Sequence, residues 1–450
     1  MISSIGLLAS LALLILLALR GVNIILASLL CSLIVIVTSA LPLGETFQDG
    51  FAFGKLGAFA FAGRFFLLFA AGAMFGRVMG DSGAAASIAM ALVRKLGADR
   101  ALWITVLASA LLTYGGVVVF VVIFAMYPLG LRLLKEADIP KRLFCAALAL
   151  GAGTFTLTAL PGTPSIQNII PTIALGTDLY AAPVLGLIGG GIMFTLGMVY
   201  LEWQRRRAKL AGEGFDPAPG DPIGDADSYA DQALPAIPLA ILPLIVVIGI
   251  IMSPRLLGNV MPKVLADFAA AQPVMWPSIA LVIGSLLGVV LFSRVRNRAL
   301  EVLGSGIQDA VVPLFATAVV IGFGGVVVQT TGFLAFAQTL TSFDEYPLLS
   351  MFGAVSTVSG ITGSASGGLQ IFMETLAPSY LAMGIEPAEL HRLAVMASGG
   401  LDSLPHCGAV IAMLAITRLT HAQAYRDVAV VTVAIPVIAT LVCIAIASAS

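Results

Sequence analysis

Apolar runs of about twenty residues recur along the whole chain of 450 residues. A helix of that length, rising about 1.5 Å per residue, crosses the roughly 30 Å hydrocarbon core of a bilayer. Charged residues make up only 10% of the chain, whereas soluble proteins carry about 25%. The sequence therefore excludes a soluble enzyme and predicts an all-α polytopic membrane protein, because the alternating ten-residue strands of an outer-membrane barrel are absent.

Ten of the apolar runs are predicted to cross the membrane completely. Their ranges are about 3–19, 22–40, 64–80, 143–176, 182–202, 233–252, 274–293, 308–328, 393–417 and 427–447. Two further stretches, 101–131 and 346–376, are interrupted by the glycine-rich sequences TYGG and GITGSASGG. Basic clusters flank 101–131 on both sides, and basic loops stay in the cytoplasm. We therefore predict that each interrupted stretch is a re-entrant hairpin.

The distribution of charge then predicts the orientation and excludes some partners. With the hairpins in place, most of the 23 lysine and arginine residues fall in predicted cytoplasmic loops, which puts both termini on the periplasmic side. The formal net charge of -1 gives no reason to expect nucleic acid. The four cysteines lack metal-site spacing, so the sequence predicts neither a metal nor an organic cofactor.

Short motifs recur in the same order in the two halves of the chain. They are Leu-Phe-Ala at 68–70 and 314–316, Gly-Gly at 115–116 and 367–368, and Leu-Pro at 160–161 and 404–405. We predict a first repeat over 1–202, a polar cytoplasmic linker over 203–232 and a second repeat over 233–450. Each repeat has five spans, an odd number, so the two copies must be inverted in the membrane, as in many transporters.

Four breaks within the apolar runs are the predicted substrate site: TYGG, ALPGTPSIQN, TGSASGG and GGLDSLPHCG. Lipid cannot satisfy the free backbone groups of a broken helix, so the breaks must face protein or a wet cavity. A half-helix N-terminus attracts anions, and no lysine or arginine lies within a break. We therefore predict a small hydroxylated anion as substrate; the alternative is that the small residues only allow close helix packing. The predicted substrate-binding residues are Thr113, Tyr114, Gly115, Gly116, Gly162, Thr163, Ser165, Gln167, Asn168, Thr362, Gly363, Ser364, Ser366, Gly367, Gly368 and Ser403.

Asp402 and His406 are the ionisable residues most suited to bind a coupling proton. They are four residues apart inside a predicted span, where charges are costly and usually functional. The alternative is that Asp402 caps the following half-helix and His406 is a neutral neighbour. Glu374, a second intramembrane acid, is a further proton-coupling candidate, whereas His391 is predicted at a loop end without a special role. A hydrolase triad of Asp402, Ser403 and His406 is disfavoured because no nucleophile elbow surrounds it.

Several long segments carry a family resemblance. GRVMGDSGAAASIAMALVRKLG, TYGGVVVFVVIFAMYPLGLRLLKEADIPKRL and TALPGTPSIQNIIPT resemble the gluconate permease (GntP) family of proton-coupled symporters. SGGLDSLPHCGAVIAML is similar to family members that carry 3-hydroxybutyrate or gluconate. The resemblance implies a bacterial inner-membrane importer with the ion-transporter superfamily fold, in which a scaffold domain forms a homodimer and a mobile domain carries both hairpins in an elevator-like movement. Citrate and dicarboxylate members have Ser-Asn-Thr type motifs at the hairpin tips, and TYGG and TGSASGG stand there instead, so sodium sites and dicarboxylate specificity are not carried over.

These observations together predict a proton symporter for a small hydroxylated carboxylate, without catalytic residues. Three alternatives stay open at the level of sequence. A sodium-coupled carboxylate transporter would use the same fold, and a passive anion channel or exchanger would need no coupling ion. A membrane-embedded enzyme is the third, and the missing catalytic constellation counts against it.

Overall fold

The structure, a computed structural model, describes residues 2–97, 100–117, 119–218, 221, 234–257, 260–343 and 345–449. Every regular element in these ranges is helical. The helices of the first half are α1 (Ile2–Leu19), α2 (Ile24–Thr38), α3 (Leu43–Glu45, continued by a wider π turn over Thr46–Ala52), α4 (Ala58–Asp81), α5 (Ala84–Leu96), α6 (Ala101–Tyr114), α7 (Val119–Ala137), α8 (Lys141–Gly153), α9 (Phe155–Thr158), α10 (Ile166–Leu175) and α11 (Pro183–Leu210).

The second half follows a similar order of elements. Its helices are α12 (Ile237–Leu257), α13 (Lys263–Ala271), α14 (Met275–Leu291), α15 (Ser293–Arg296), α16 (Ala299–Val327), α17 (Thr331–Thr341), α18 (Pro347–Thr362), α19 (Ala365–Thr375), α20 (Ala377–Ala382), α21 (Pro387–Leu401), α22 (Gly408–Ile416), α23 (His421–Ala429) and α24 (Ile435–Ala449), the last two joined by a π turn over Val430–Ala434.

Each of the ten predicted spans overlaps at least one helix. Within the described ranges, five helical segments are long and apolar enough to cross a bilayer without a break: α4, α11, α12, α16 and the joined α23–α24. The predicted spans 143–176 and 393–417 are interrupted, as their proline and glycine residues indicate. The all-helical architecture is therefore as predicted.

Both predicted hairpins contain a helix break with two arms that pack on each other. The arms of the first are α6 and α7, and those of the second are α18 and α19. The backbone turns at Gly116 with a φ of 92° and at Gly363 with a φ of 58°. Side chains other than glycine disfavour this left-handed region, so glycine is what lets the chain reverse at both tips.

The two halves pack on each other in a reciprocal way. In one direction α4 packs against α14, and in the other α16 packs against α2. Helices α4 and α16 also pack on each other, and a Cβ at Gly306 of α16 would lie 2.7 Å from the Met74 backbone of α4. Small residues allow such close approach of helices, which gains packing where lipid offers no hydrophobic driving force.

Each hairpin packs against a helix of the opposite half. Arm α7 of the first half contacts α22 of the second, and arm α19 of the second contacts α10 of the first. Each hairpin thus lies beside the second segment of the other half's broken helix. This arrangement brings the four predicted breaks close to one another.

The predicted linker begins as helix, because α11 continues to Leu210. The chain that follows is bound to the rest of the protein: Phe215 N–H donates to Asp138 Oδ1 at 2.9 Å, and Lys141 Nζ donates to Asp221 Oδ2 at 2.7 Å. Arg142 Nε donates to Glu213 Oε1, also at 2.7 Å. Residues 219–220 and 222–232 of the predicted linker lie outside the described residues.

Candidate functional site

A cavity of about 440 Å³ lies where the four breaks approach one another. Much of its wall is apolar and comes from α1, α4 and α22, and the polar groups come from the breaks. Its size and composition are typical of small-molecule sites, which combine apolar walls with a few placed polar groups. Eleven of the predicted residues line it: Thr113, Gly116, Ser165, Gln167, Thr362, Gly363, Ser364, Ser366, Asp402, Ser403 and His406.

The tip of the second hairpin presents a helix N-terminus to this cavity. Ser364 is the N-cap of α19, and its Oγ accepts a hydrogen bond from Gly367 N–H at 3.2 Å. Ser366 Oγ lies 3.3 Å from Ser364 Oγ, and Thr362 Oγ1 lies 3.1 Å from the Ser364 carbonyl oxygen. The hydroxyls therefore stand at the end of α19 where the helix dipole favours negative charge.

Asp402 lies at the same helix end. Its carboxylate faces the backbone N–H groups of Ala365 and Ser403, and Ser403 Oγ donates to Asp402 Oδ1 at 3.0 Å. Ala365 is the first residue of α19. A carboxylate of the protein thus lies close to the helix N-terminus that an anionic ligand would use.

His406 faces the cavity with a different set of partners. Its Nε2 lies 3.0 Å from the Gly360 carbonyl oxygen. A carbonyl oxygen only accepts, so Nε2 carries a proton when this bond forms. Asp402 and His406 therefore share the cavity: Asp402 hydrogen-bonds to the neighbouring Ser403, and His406 hydrogen-bonds to Gly360 of the second hairpin.

The first half contributes a similar helix end. Ser165 is the N-cap of α10; its Oγ accepts from Asn168 N–H at 3.3 Å and donates to the Leu157 carbonyl at 3.0 Å. Thr113, just before the first hairpin tip, is 3% exposed, and its Oγ1 has no hydrogen-bond partner in the part of the chain that the structure describes. Buried hydroxyls are usually paired, so Thr113, a residue of the cavity wall, has a hydroxyl without a partner among the described residues.

The other predicted glycines pack against protein, outside the cavity wall. A Cβ at Gly115 would lie 2.2 Å from Leu244 Cδ2, and one at Gly368 would lie 2.5 Å from Ser359 Cα. Gly162 lies beneath the Tyr180 ring, and Gly367 has only ordinary contacts around its Cβ position. At Gly115, Gly162 and Gly368 the structure gives glycine a packing role.

The remaining predicted polar residues also lie outside the cavity wall. Tyr114 donates its hydroxyl to the Pro161 carbonyl at 2.9 Å, and Asn168 Nδ2 donates to the Thr163 carbonyl at 3.1 Å. Glu374 is half-buried and accepts a hydrogen bond from Gln370 Nε2 at 3.3 Å. Tyr114, Thr163 and Asn168 thus form hydrogen bonds within and behind the ALPGTPSIQN break. Glu374 lies on α19, the second arm of the second hairpin.

Comparisons with known proteins identify the family of the chain. The family model described as GntP family permease matches residues 2–401. The chain belongs to the GntP permease family. Transporter YxjC of Bacillus subtilis is 39% identical over 451 aligned residues, which cover 94% of each chain. This family assignment makes the protein a membrane permease and not an enzyme.

More distant relatives of this GntP permease extend the comparison. A high-affinity gluconate transporter of Escherichia coli K12 is 24% identical over 360 residues, covering 76% of this chain and 75% of the relative. The crystal structure of the Alcanivorax borkumensis YdaH transporter matches with a TM-score of 0.57 at 13% identity, covering 87% of this chain and 88% of that one. At that identity the second likeness concerns the fold alone.

Two buried residues of the permease, His391 and Arg392, were not predicted from the sequence to have a role. The loop-end position predicted for His391 is wrong, because α21 begins four residues earlier at Pro387 and buries both side chains fully. His391 Nε2 lies 2.9 Å from Asn168 Oδ1, and its Nδ1 lies 2.7 Å from Thr177 Oγ1. Proline is frequent at the first position of a helix, so Pro387 was the signal that marked the earlier start.

Proposed function

We propose that this GntP permease imports a small hydroxylated carboxylate, of the gluconate or 3-hydroxybutyrate type, together with protons. The observation that carries the proposal is the cavity where the Asp402 carboxylate meets the N-terminus of α19 among the hydroxyls of Ser364, Ser366 and Ser403. Hydroxyls suit a polyhydroxylated ligand, and a helix N-terminus suits its carboxylate. The gluconate transporter of Escherichia coli supports the substrate class.

Competition for the α19 helix end provides the coupling. When ionised, the Asp402 carboxylate accepts a hydrogen bond from the Ala365 N–H group and repels a second anion. When Asp402 takes up a proton, the helix end becomes available to the carboxylate of the substrate. A proton therefore enters the site with each anion, with His406 as the second proton acceptor on the cavity wall and Glu374 as a more remote one.

We also propose that the two halves are inverted repeats that work by an elevator-like movement. The reciprocal packing of α4 with α14 and of α16 with α2 supports the repeat. The hairpins and broken helices would carry the substrate past a scaffold built from α1, α2, α4, α14 and α16. Family resemblance supports a homodimer in the bacterial inner membrane, and the distribution of basic residues supports periplasmic termini.

Uptake of labelled gluconate and 3-hydroxybutyrate into proteoliposomes tests the function. We expect accumulation when the outside is acidic and none in the absence of a gradient. Accumulation driven by sodium at constant pH would support the sodium-coupled alternative, and equilibration without accumulation would support a channel or exchanger.

Asp402→Asn tests the coupling mechanism in the same vesicles. Because the amide cannot exchange a proton, we expect the pH-driven accumulation to disappear while exchange of internal for external substrate continues. Asp309→Asn is the control, since Asp309 is an exposed acid paired with Arg77 on the scaffold side. Unchanged proton coupling in Asp402→Asn would remove Asp402 from the mechanism.

A further inference from the structure

Arg392 is a buried cation whose hydrogen bonding is incomplete. It is 0% exposed, Nε donates to the Ala181 carbonyl at 3.0 Å, and Nη2 donates to the Leu179 carbonyl at 3.1 Å. Nη1 has no partner among the residues that the structure describes. Both bonded partners are neutral carbonyls, and Asp178, an acid whose charge acts on Arg392, is itself 67% exposed. A buried charge inside a membrane protein usually has a close counter-charge or a function.

Two further unpaired oxygens belong to the same neighbourhood. The Tyr180 hydroxyl and Thr163 Oγ1 are buried and have no hydrogen-bond partner within the described ranges. Tyr180 lies between the two residues whose carbonyls Arg392 binds, and its ring stands over Gly162, the residue before Thr163. Three donors that could all serve an anion are thus left free around one short stretch of chain.

This cluster of Arg392, Tyr180 and Thr163 lies directly behind the ALPGTPSIQN break. The Leu179 carbonyl accepts not only from Arg392 but also from Gly162 N–H at 2.9 Å and from Asn168 Nδ2 at 2.9 Å. The next residues of the same break, Pro164 and Ser165, line the cavity. The break loop therefore separates the cluster from the cavity by one layer of residues.

A second cation connects the cluster to the protein surface. The guanidinium of Arg255 lies 4.9 Å from the centre of the Tyr180 ring, and its side chain is 52% exposed. Asp178 lies 3.6 Å from Arg255 and is itself 67% exposed, so solvent screens that pair. The proposed orientation puts this face in the periplasm, where an anionic substrate would first arrive.

We propose that Arg392, with the hydroxyls of Tyr180 and Thr163, binds the carboxylate of the organic anion at a staging site between the outer face and the cavity. The inference rests on the proposed function for the class of ligand. Arginine is the side chain best suited to this task, because its planar donors match a carboxylate. A purely structural role would use only Nε and Nη2 to hold the 179–181 loop, and it leaves Nη1 and both hydroxyls unexplained.

Isosteric variants test the staging site without removing a bond from the protein. Tyr180→Phe and Thr163→Val each delete an oxygen that has no partner, so we expect unchanged thermal unfolding. In equilibrium binding of labelled gluconate to the purified full chain, at fixed pH without a gradient, the affinity of the staging site should weaken about fivefold to tenfold for each variant, the equivalent of one hydrogen bond, while that of the cavity stays unchanged. Ser28→Ala is the matched control, because Ser28 on α2 is also a buried hydroxyl without a partner, and it should bind gluconate as the wild type does.

Arg392→Lys tests the guanidinium itself, with a readout that a structural role would not move. We expect the affinity for gluconate to fall more than tenfold, because lysine keeps the charge but loses the paired donors, and the affinity for neutral gluconamide to fall much less. An equal loss for both compounds, or wild-type binding in Tyr180→Phe and Thr163→Val, would overturn the staging site.

The outcomes separate this inference from the proposed function. Normal proton-driven uptake with wild-type binding in all variants would reject the staging site and leave the function intact. Weakened binding in the variants, in a protein that a proton gradient does not drive, would support the staging site and reject proton coupling. Failure of the wild type to bind both gluconate and 3-hydroxybutyrate would reject both.

Discussion

At the scale of single residues, the buried polar groups of this permease are of two kinds. Some are fully paired, such as Lys141 with Asp221, or His391 with Asn168 and Thr177. Others, including the hydroxyl of Thr113, have no partner within the described residues. An unpaired buried polar group lowers the free energy of unfolding of the protein when no ligand is bound. Paired groups therefore stabilise the fold, whereas the unpaired ones beside the breaks are available to a ligand.

The ion pair of Asp221 belongs to the first kind and has a defined pH dependence. Asp221 accepts from Lys141 Nζ and from Ala218 N–H, both at 2.7 Å, and from the Tyr127 hydroxyl at 2.6 Å. Burial raises the pKa of the Asp221 carboxyl, but these hydrogen bonds and the charge of Lys141 outweigh it and hold the pKa below its usual range. The stabilisation is therefore present at neutral pH and is lost as the pH falls through the lowered pKa.

Asp221→Asn should lower the free energy of unfolding by about 3 kcal/mol at neutral pH, because it leaves the Lys141 ammonium buried without an anion. Thermal unfolding of the purified protein measures the change, and the difference from wild type should shrink below about pH 4. Glu213→Gln is the control: Glu213 is 42% exposed in its pair with Arg142, so its loss should cost under about 1 kcal/mol. Equal effects of the two variants would contradict this account.

At the scale of elements, the helix breaks follow from glycine and proline in apolar runs. The sequence predicted the tips at TYGG and TGSASGG, and the structure ends α6 at Tyr114 and α18 at Thr362. These positions were predictable because a backbone break in lipid must be built from residues that allow it. The sequence did not predict which of these residues faces the cavity. Gly116 lines the cavity, whereas neighbouring Gly115 packs on Leu244 of the other half.

The arms of the second hairpin meet at Gly368, which gives a sharp test of their packing. A Cβ at Gly368 would lie 2.5 Å from Ser359 Cα and 2.7 Å from Ser359 N. These are backbone atoms of the opposite arm, so rotation of a side chain cannot relieve the overlap. Gly368→Ala should therefore separate α18 from α19, destabilise the protein by about 1–3 kcal/mol and reduce gluconate uptake. Uptake by proteoliposomes and thermal unfolding measure both effects.

Gly367→Ala is the matched control for that variant. Its Cβ would have ordinary contacts of 3.4 Å or more, and alanine favours the helix. We expect wild-type stability and uptake. If Gly368→Ala behaved like Gly367→Ala, the two arms would not be in the close contact described.

At the scale of the whole molecule, the arrangement of the two halves makes a movement testable. The scaffold helix α16 touches the hairpin arm α19 where a Cβ at Gly324 would lie 2.2 Å from Ile371 Cδ1. The double variant Gly324→Cys and Ile371→Cys removes that overlap and places two thiols in reach of each other. The four native cysteines are buried and free.

Oxidation of this double variant should stop transport if α19 moves past α16. We expect the oxidised protein to bind gluconate and to lose uptake, and we expect a reductant to restore uptake. The two single-cysteine variants, treated with the same oxidant, are the controls. Full uptake by a double variant that is shown to be cross-linked would mean that α16 and α19 move together.

The amino-acid sequence by itself determined the membrane class, the helices and the positions of the breaks. Lipid permits few solutions, and a helix of apolar residues satisfies its own backbone wherever it lies. Only the tertiary structure decided which break residues face the cavity. It also decided the burial of Arg392 behind the ALPGTPSIQN break and the pairing of Asp221 with Lys141. Those outcomes depend on how each helix is rotated and on contacts between residues far apart in the chain, which local sequence does not encode.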